Sequence, residues 1–125
     1  MRLLRNVLLL MLCCAPAKAE DQKIDVGRGV VCDTADQVMR FVALRADGKE
    51  PDAALKAINH ETGDAACSFG FVMFTGGEPM AELSANGRPV SVVRIVVHAF
   101  GNGAGWRRVP ETVQYTPMSE QGRVA

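Results

Sequence analysis

The sequence has little aromatic side-chain area and no net charge. Its 125 residues include five phenylalanines, one tyrosine and one tryptophan, and its 14 basic groups balance its 14 acidic groups. So few aromatic residues leave little material for a stacking platform or for a pocket around a large hydrophobic cofactor. The balanced charge argues against a nucleic-acid-binding basic module, and a hydrophobic fraction of 48% argues against a disordered chain. A chain of this length is expected to build one domain.

The chain also has none of the residue spacings that carry metal or nucleophile chemistry. It contains no Cys-x-x-Cys pair, and its two histidines, His60 and His98, stand far apart in the sequence. A zinc site needs about four close nitrogen or sulfur ligands, and a calcium loop needs closely spaced acidic residues. Neither histidine has a serine or cysteine nucleophile at a motif spacing. We therefore predict no catalytic residue, no metal site and no cofactor, and we favour a protein that is not an enzyme.

The N-terminus has the pattern of a secretory signal. Two arginines precede an apolar run over residues 7–15, and small residues occupy positions −3 and −1 before Glu20. The run is shorter than the about 20 residues that a membrane span needs. We predict a signal peptide over residues 1–19 with cleavage between Ala19 and Glu20. The expected location is periplasmic or secreted, with no stable membrane anchor after cleavage.

Cleavage changes the charge and the cysteine count of the chain. It removes three of the 14 basic groups and no acid, so 11 basic and 14 acidic groups remain, a net charge of −3. It also removes two of the four cysteines and leaves Cys32 and Cys67. In an exported domain an even pair of cysteines predicts a disulfide. The alternative is that both cysteines are free, buried thiols. A catalytic redox pair is disfavoured because Cys32 and Cys67 are far apart in the sequence and do not form a Cys-x-x-Cys pair.

Two amphipathic helices are predicted in the first half of the domain. Thr34 followed by Gln37 has the spacing of a capping box, and apolar residues then recur at helical intervals up to Ala46. Pro51 suits the first turn of a second helix. The apolar stripe of that second helix is narrow and consists of Ala54, Leu55, Ala57 and Ile58.

The sequence period changes from helical to alternating after the second helix. The four predicted strands cover residues 67–75, 79–85, 90–100 and 106–116. Gly76-Gly77 and Asn86-Gly87 predict turns, the latter with the residues of a type I′ hairpin. Short connections favour an antiparallel meander, and the helices must cover one of its faces. The predicted fold class is therefore α+β: two N-terminal helices packed on one face of a four-stranded antiparallel meander sheet, with one disulfide between Cys32 and Cys67.

The domain organisation follows from this pattern. Residues 20–125 are predicted to form a single exported α+β domain, with flexible segments at 20–28 and 117–125. A helical pair followed by four strands resembles the repeat of the beta-lactamase inhibitory proteins. The resemblance implies an architecture found in small exported binding and inhibitor modules, and it carries over no functional residue.

The third predicted strand has one mostly apolar face and one mixed face. The face expected to pack on the helices contains Ser91, Val93, Ile95, Val97 and Ala99. A solvent-facing sheet surface normally alternates to polar residues, so apolar side chains among polar ones indicate a surface that is covered or that binds. The predicted partner face is this mixed one, extended by the tryptophan of the last strand: Val92, Arg94, Val96, His98, Phe100 and Trp106. Cover by the tail or an edge segment, and a small-ligand groove, are the alternatives.

These patterns favour a small exported non-enzymatic binding protein, an inhibitor or accessory factor that acts through an exposed sheet face. Its expected partner is a protein in the periplasm and not a nucleic acid, and pairing of edge strands also allows a homodimer. The alternative function is a small periplasmic ligand-binding protein or hydrolase that uses His98 with Arg94, or His60. A structural envelope protein without a small ligand is a third reading.

Overall fold

The computed structural model describes residues 23–119, which form two helices and four strands. The first strand, β1, covers Asp25–Cys32 and precedes both helices. The helices and the other three strands then follow in chain order: α1 Ala35–Ala46, α2 Pro51–Thr62, β2 Cys67–Ala85, β3 Arg88–Asn102 and β4 Gly105–Ser119. The predicted signal peptide lies outside the described residues. Within residues 23–119, no helix has the length and apolar character that a membrane crossing requires.

The predicted α+β fold class is confirmed. The structure contains two helices, a four-stranded antiparallel sheet and a disulfide between Cys32 and Cys67. Residues 25–28 and 117–119, which the sequence placed in flexible ends, lie in β1 and β4. β1 has two glycines and no clear apolar period, and it forms because β2 supplies backbone partners along its whole length. The element order therefore has a strand before the helices, where the sequence pattern indicates only a short extended segment over residues 29–32.

The strand β2 is one long, bent strand where the sequence predicted two. Gly76 and Gly77 were expected to turn the chain, but β2 stays paired with β3 on both sides of them. Gly76 lies opposite Ile95 and the next paired residue is Glu78, opposite Arg94, so Gly77 is the extra residue of a bulge. Its φ of 123° is a conformation that suits glycine. The prediction of a turn here is wrong because a glycine pair serves a bulge as well as a turn.

The local signals at the other connections are confirmed. Asn86 and Gly87 have φ of 53° and 81°, as a type I′ hairpin turn requires. The backbone amide of Gln37 donates to Thr34 Oγ1 over 3.2 Å, and the amide of Thr34 donates to Gln37 Oε1 over 3.0 Å, which completes the capping box of α1. Pro51 is the first residue of α2. Each of these features depends on residues within one turn of the chain.

The sheet curls until its first and last strands meet. β1 pairs with β2 along its length and with β4 at Cys32 opposite Tyr115, so the four strands close into a small barrel. The Thr116 side chain, 1% exposed, donates a 2.7 Å hydrogen bond to the carbonyl oxygen of Val30 beside this closure. A curled sheet has an inner and an outer face, and each face needs its own apolar residues.

Two apolar clusters fill the two faces. The first contains the disulfide and lies between the helices and the outer face of the sheet: Val30, Cys32, Val38, Phe41, Val42, Leu44, Ala54, Ile58, Cys67 and Val92. The second lies on the opposite, inner face: Val31, Val72, Phe74, Val93, Ile95 and Val97. The sequence predicted that Val93, Ile95 and Val97 face the helices, and this is wrong. Since successive strand residues point to opposite faces, the helices pack against the Val92 side of β3.

The helices α1 and α2 are joined on their exposed sides by an ion pair. Arg40 Nη2 lies 2.7 Å from Glu61 Oε2, and the two side chains are 49% and 47% exposed. The hydrogen bond from Arg40 lowers the pKa of the Glu61 carboxyl, with its charge as a further cause. Pairs exposed to this extent contribute little to stability, so the packing of the two helices depends mainly on their buried apolar residues.

We expect Glu61→Gln to make the loss of stability in acid slightly less steep. A carboxyl whose folded pKa is below its unfolded value stabilises the fold above the unfolded pKa, and this stabilisation is lost as the pH falls through the folded pKa. Urea unfolding from neutral pH down to about pH 3 measures the effect. Glu82→Gln, at an exposed carboxyl of β2, is the control, and an equally steep acid dependence in the Glu61 variant and the natural chain would contradict the prediction.

Candidate binding surface

A row of side chains crosses all four strands on the outer face of the sheet. Arg28 of β1 lies opposite Phe71 of β2, which lies opposite Gly101 of β3, which lies opposite Trp106 of β4. Phe71 and Trp106 are 41% and 45% exposed. Because Phe71 is four residues from Cys67 on one strand, the row lies on the face that carries the helices.

A second row runs beside the first on the same face. It consists of Val26 on β1, Met73 on β2, Ala99 on β3 and Arg108 on β4, each opposite the next. Val26 is 59% exposed. We call the two rows together the four-strand surface: Val26, Arg28, Phe71, Met73, Ala99, Gly101, Trp106 and Arg108. Its centre is apolar, and an arginine stands on each of its two outer strands.

Aromatic rings hold the arginine of β1 in place. The guanidinium carbon of Arg28 lies 5.1 Å from the centroid of the Phe69 ring and 5.7 Å from that of Phe71. Both distances are within the about 6 Å over which a cation is attracted to a ring face. Phe69, 47% exposed, adds a further exposed ring next to the four-strand surface. These contacts favour a position of the guanidinium beside the two rings.

The indole ring of Trp106 lies directly against the backbone of Gly101. A Cβ atom at position 101 would lie 3.0 Å from Cε3 and Cζ3 of the indole, closer than such atoms normally approach. The absence of a side chain on Gly101 thus lets the indole lie across β3 in the direction of Phe71. The row depends on glycine at this point for its geometry.

Two shallow depressions flank the indole. The first, of about 220 Å³, lies between Trp106 and Phe71, with Gly101 and Asn102 as its other lining residues. The second, of about 290 Å³, lies on the other side of the same ring, and its lining residues are Ile24, Met73, His98, Ala99, Trp106 and Arg108. Trp106 therefore lines both depressions.

The structure separates the predicted partner face into parts. Val92 is fully buried against the helices, so it does not belong to an exposed surface. Phe100 packs against the inner cluster because His98 is an extra residue between Val97 and Ala99, and this bulge reverses the alternation. Only His98 and Trp106 of the six predicted residues lie together, at the second depression.

The other two residues of the predicted face lie in the middle of the sheet. Arg94 Nη1 is 3.5 Å from Glu78 Oε1 in an exposed ion pair, and Val96 is half-buried. Neither residue lines a depression beside the indole. His60 is exposed in the last turn of α2 and also lies outside both depressions. These positions offer no common site.

The sequence missed Val26, Arg28 and Phe71 as members of a surface. Alternation along the predicted strand 67–75 puts Phe69, Phe71 and Met73 on one face, and this is the signal in the sequence for their proximity. The row could not be completed from the sequence because β1 was not recognised as a strand. The low aromatic content was therefore a misleading guide, since three of the seven aromatic residues gather at this one place.

His98 is held by two neighbouring side chains. Its Nε2 lies 2.9 Å from Thr75 Oγ1, and its Nδ1 lies 3.5 Å from Glu111 Oε2. The hydroxyl, imidazole and carboxylate follow the order of a nucleophile, a base and an orienting acid. Thr75 is 7% exposed and does not line the adjacent depression, so its hydroxyl is poorly placed for attack on a bound substrate. The contacts serve to orient the imidazole at the bulge.

No group of three or more histidine, cysteine, aspartate or glutamate side chains is arranged to hold a metal ion within residues 23–119. The chain matches no protein-family model, no curated protein and no solved structure. The fold and the surface define a small, disulfide-linked α+β domain with an exposed aromatic and arginine-bearing sheet face. Its function is therefore argued from that face.

Proposed function

We propose that this chain is a small exported, non-enzymatic binding protein that captures a protein partner on the four-strand surface. The observation that carries the proposal is the row from Arg28 through Phe71 to Trp106, which aligns exposed rings and a guanidinium across the whole sheet. Tryptophan, tyrosine and arginine supply much of the binding energy at protein interfaces. The role would be that of an inhibitor or accessory factor.

The shape of the surface favours a macromolecule over a small substrate. The two depressions are shallow and share the Trp106 ring as one wall, and exposed apolar side chains extend beyond them to Phe69 and Val26. A small-molecule site normally encloses most of its ligand in one concave pocket. A partner that lies across several strands would cover all the exposed apolar side chains together.

The proposed location is the periplasm or the medium outside the cell. The disulfide is compatible with an oxidising compartment, and the N-terminal pattern of residues 1–19 is that of an export signal. After cleavage the partner would be met in the same compartment.

A site-specific crosslinking experiment tests the proposal. We expect a photoreactive residue at position 71 of the exported chain to trap a discrete partner, because this position lies in the centre of the surface. The same residue at Met80, which is 49% exposed on another part of β2, is the control. We also expect Trp106→Ala to weaken capture about 30-fold, as for a central interface residue, and Met80→Ala to leave it unchanged.

Two outcomes would contradict the proposal. One is equal crosslinking from positions 71 and 80, and the other is full capture by both Phe71→Ala and Trp106→Ala. Circular dichroism and thermal unfolding of each variant show that it is folded. The side chains concerned are exposed, so their removal should change stability little.

A second candidate is a small-ligand-binding protein or hydrolase centred on His98. It is favoured by the 290 Å³ depression, where His98 and Arg108 meet Trp106. The same variants separate the two functions, since Phe71 lies outside that depression. Activity or capture that is lost in His98→Ala and retained in Phe71→Ala would favour the second candidate.

A further inference from the structure

The four-strand surface carries two arginines without an acidic partner in the part of the chain that the structure describes. Arg40 and Arg94 each pair with a glutamate, whereas Arg28 and Arg108 form no ion pair within residues 23–119. No acidic side chain lines either depression beside the indole. The surface therefore presents two positive charges, those of Arg28 and Arg108, with exposed apolar side chains between them.

This positive surface contrasts with the charge of the helical half. Residues 33–64 carry seven acidic and four basic groups, whereas the rest of the described chain carries four acidic and six basic groups. The described residues as a whole have no excess of basic groups, so the positive charge of the four-strand surface comes from the placement of its arginines. The separation of charge favours a partner whose contact segment is negative.

The arrangement of the two arginines sets a spacing for that segment. Arg28 lies on β1 in the first row and Arg108 on β4 in the second row, three strand spacings across and two residues along the strands, or about 16 Å between their backbone positions measured along the sheet. An extended chain advances about 3.3 Å per residue, so residues i and i+4 are about 13 Å apart. Residues i, i+2 and i+4 of such a chain also point to the same side. The separation of the two arginines exceeds this distance by about 3 Å, which the long side chains of arginine and glutamate can span, so the surface fits two carboxylates with one apolar side chain between them.

We propose that the partner presents an extended acidic segment with carboxylates at i and i+4 and an apolar or aromatic residue at i+2. The proposal rests on the proposed function, because it names the chemistry of the partner on the same surface. The carboxylates bind the guanidinium groups of Arg28 and Arg108, and the residue between them packs beside Phe71 and Trp106. Arginine is suited to this contact because its planar fork donates two parallel hydrogen bonds to one carboxylate.

An anionic lipid surface is the competing partner for a face with aromatic and basic residues. The geometry favours the acidic segment. The Arg28 guanidinium lies 5.1 Å and 5.7 Å from the centroids of the Phe69 and Phe71 rings, so burial of these rings in lipid would also bring that charge toward the hydrocarbon. The arginine would thus hinder insertion of those two rings into lipid.

Labelled synthetic peptides test the inference with the exported chain. The probe contains Glu-Thr-Phe-Thr-Glu between glycines, and its binding is followed by fluorescence anisotropy. One comparison peptide replaces both glutamates with glutamine, and the other, Glu-Glu-Phe-Thr-Thr, keeps the composition but places the acids side by side. We expect the probe to bind at least about tenfold more tightly than either comparison peptide, and added salt to weaken its binding.

Matched arginine variants locate the contact. Arg28→Gln and Arg108→Gln should each weaken binding of the probe about tenfold, whereas Arg88→Gln, at the β2–β3 hairpin, should leave it unchanged. Equal binding of the acidic and neutral peptides, or an equal loss in the Arg88 variant, would overturn the inference. So would the absence of peptide binding together with Trp106-dependent sedimentation on vesicles that contain phosphatidylglycerol.

The outcomes distinguish this inference from the proposed function. If the neutral peptide binds as well as the acidic one and both need Trp106, the acidic segment is wrong and the binding surface stands. If no peptide binds but crosslinking at position 71 still traps a protein, the surface again stands and the inference fails. If capture is indifferent to Phe71 and Trp106, both fail.

Discussion

Replacement of both Cys32 and Cys67 with alanine is expected to lower the free energy of unfolding by about 3–4 kcal/mol. The disulfide joins residues 35 positions apart, and the loop that it closes contains both helices. Without it the unfolded chain gains the conformational entropy of that loop. Since small domains are stable by about 5–15 kcal/mol in total, the loss is a large fraction of the stability.

The position of the two cysteines adds to the effect. Cys32 and Cys67 lie opposite each other on β1 and β2, and they are 0% and 3% exposed within the cluster beneath the helices. The bond therefore ties the start of the helical pair to its end. Hydrogen exchange of the double variant should show the greatest loss of protection in α1 and α2.

Urea unfolding of the natural chain with and without reductant measures the contribution of the disulfide. The double-alanine variant provides the same comparison without a reducing agent, and Ser84→Ala on the exposed side of β2 is the control substitution. Mass spectrometry first confirms that the disulfide is reduced. An unfolding midpoint that is then unchanged would contradict the prediction.

Ile58→Ala is expected to lower the free energy of unfolding by about 2–4 kcal/mol. Ile58 is 1% exposed and is one of only two buried residues of α2, the other being Ala54. Truncation removes the largest fully buried side chain of α2, and it leaves a cavity in the outer cluster. The helix should then open locally before the sheet unfolds.

Leu55→Ala is the matched control for this prediction, because Leu55 lies in the same helix and is only partly buried. It should cost clearly less than the Ile58 substitution in urea unfolding. Equal costs for the two variants would show that α2 is held by its whole apolar stripe. Partner capture should be retained in both, since the four-strand surface does not include α2.

Local physical rules made part of this fold predictable. The capping box at Thr34, the proline at the start of α2 and the Asn86-Gly87 turn each follow from the conformational preferences of a few adjacent residues. The disulfide was predictable because only two cysteines remain after the predicted cleavage. The candidate surface was harder to predict from the sequence. Of the six residues predicted for the partner face, only His98 and Trp106 lie beside the indole depressions.

Long-range pairing made the rest unpredictable. β1 is a strand because it pairs with β2, which follows it in the chain only after the two helices. The residue pattern of 25–32 does not predict this long-range pairing. The glycine pair of β2 becomes a bulge because β3 continues beside it on both sides. The bulge at His98 reverses the side-chain direction of Phe100, which a strict alternation along the strand cannot anticipate.

The two helices, the hairpin turn, the α+β class and the cysteine pair follow from the amino-acid sequence, because they depend on local conformational preferences and on composition. The side of β3 that the helices cover, and the place where the few aromatic residues meet, depend on how distant strands pair. Strand register and sheet closure are properties of pairing between distant segments, and one bulge is enough to move a side chain to the other face. For that reason a chain with only seven aromatic residues can still place Phe69, Phe71 and Trp106 on one exposed surface, two of them beside Arg28.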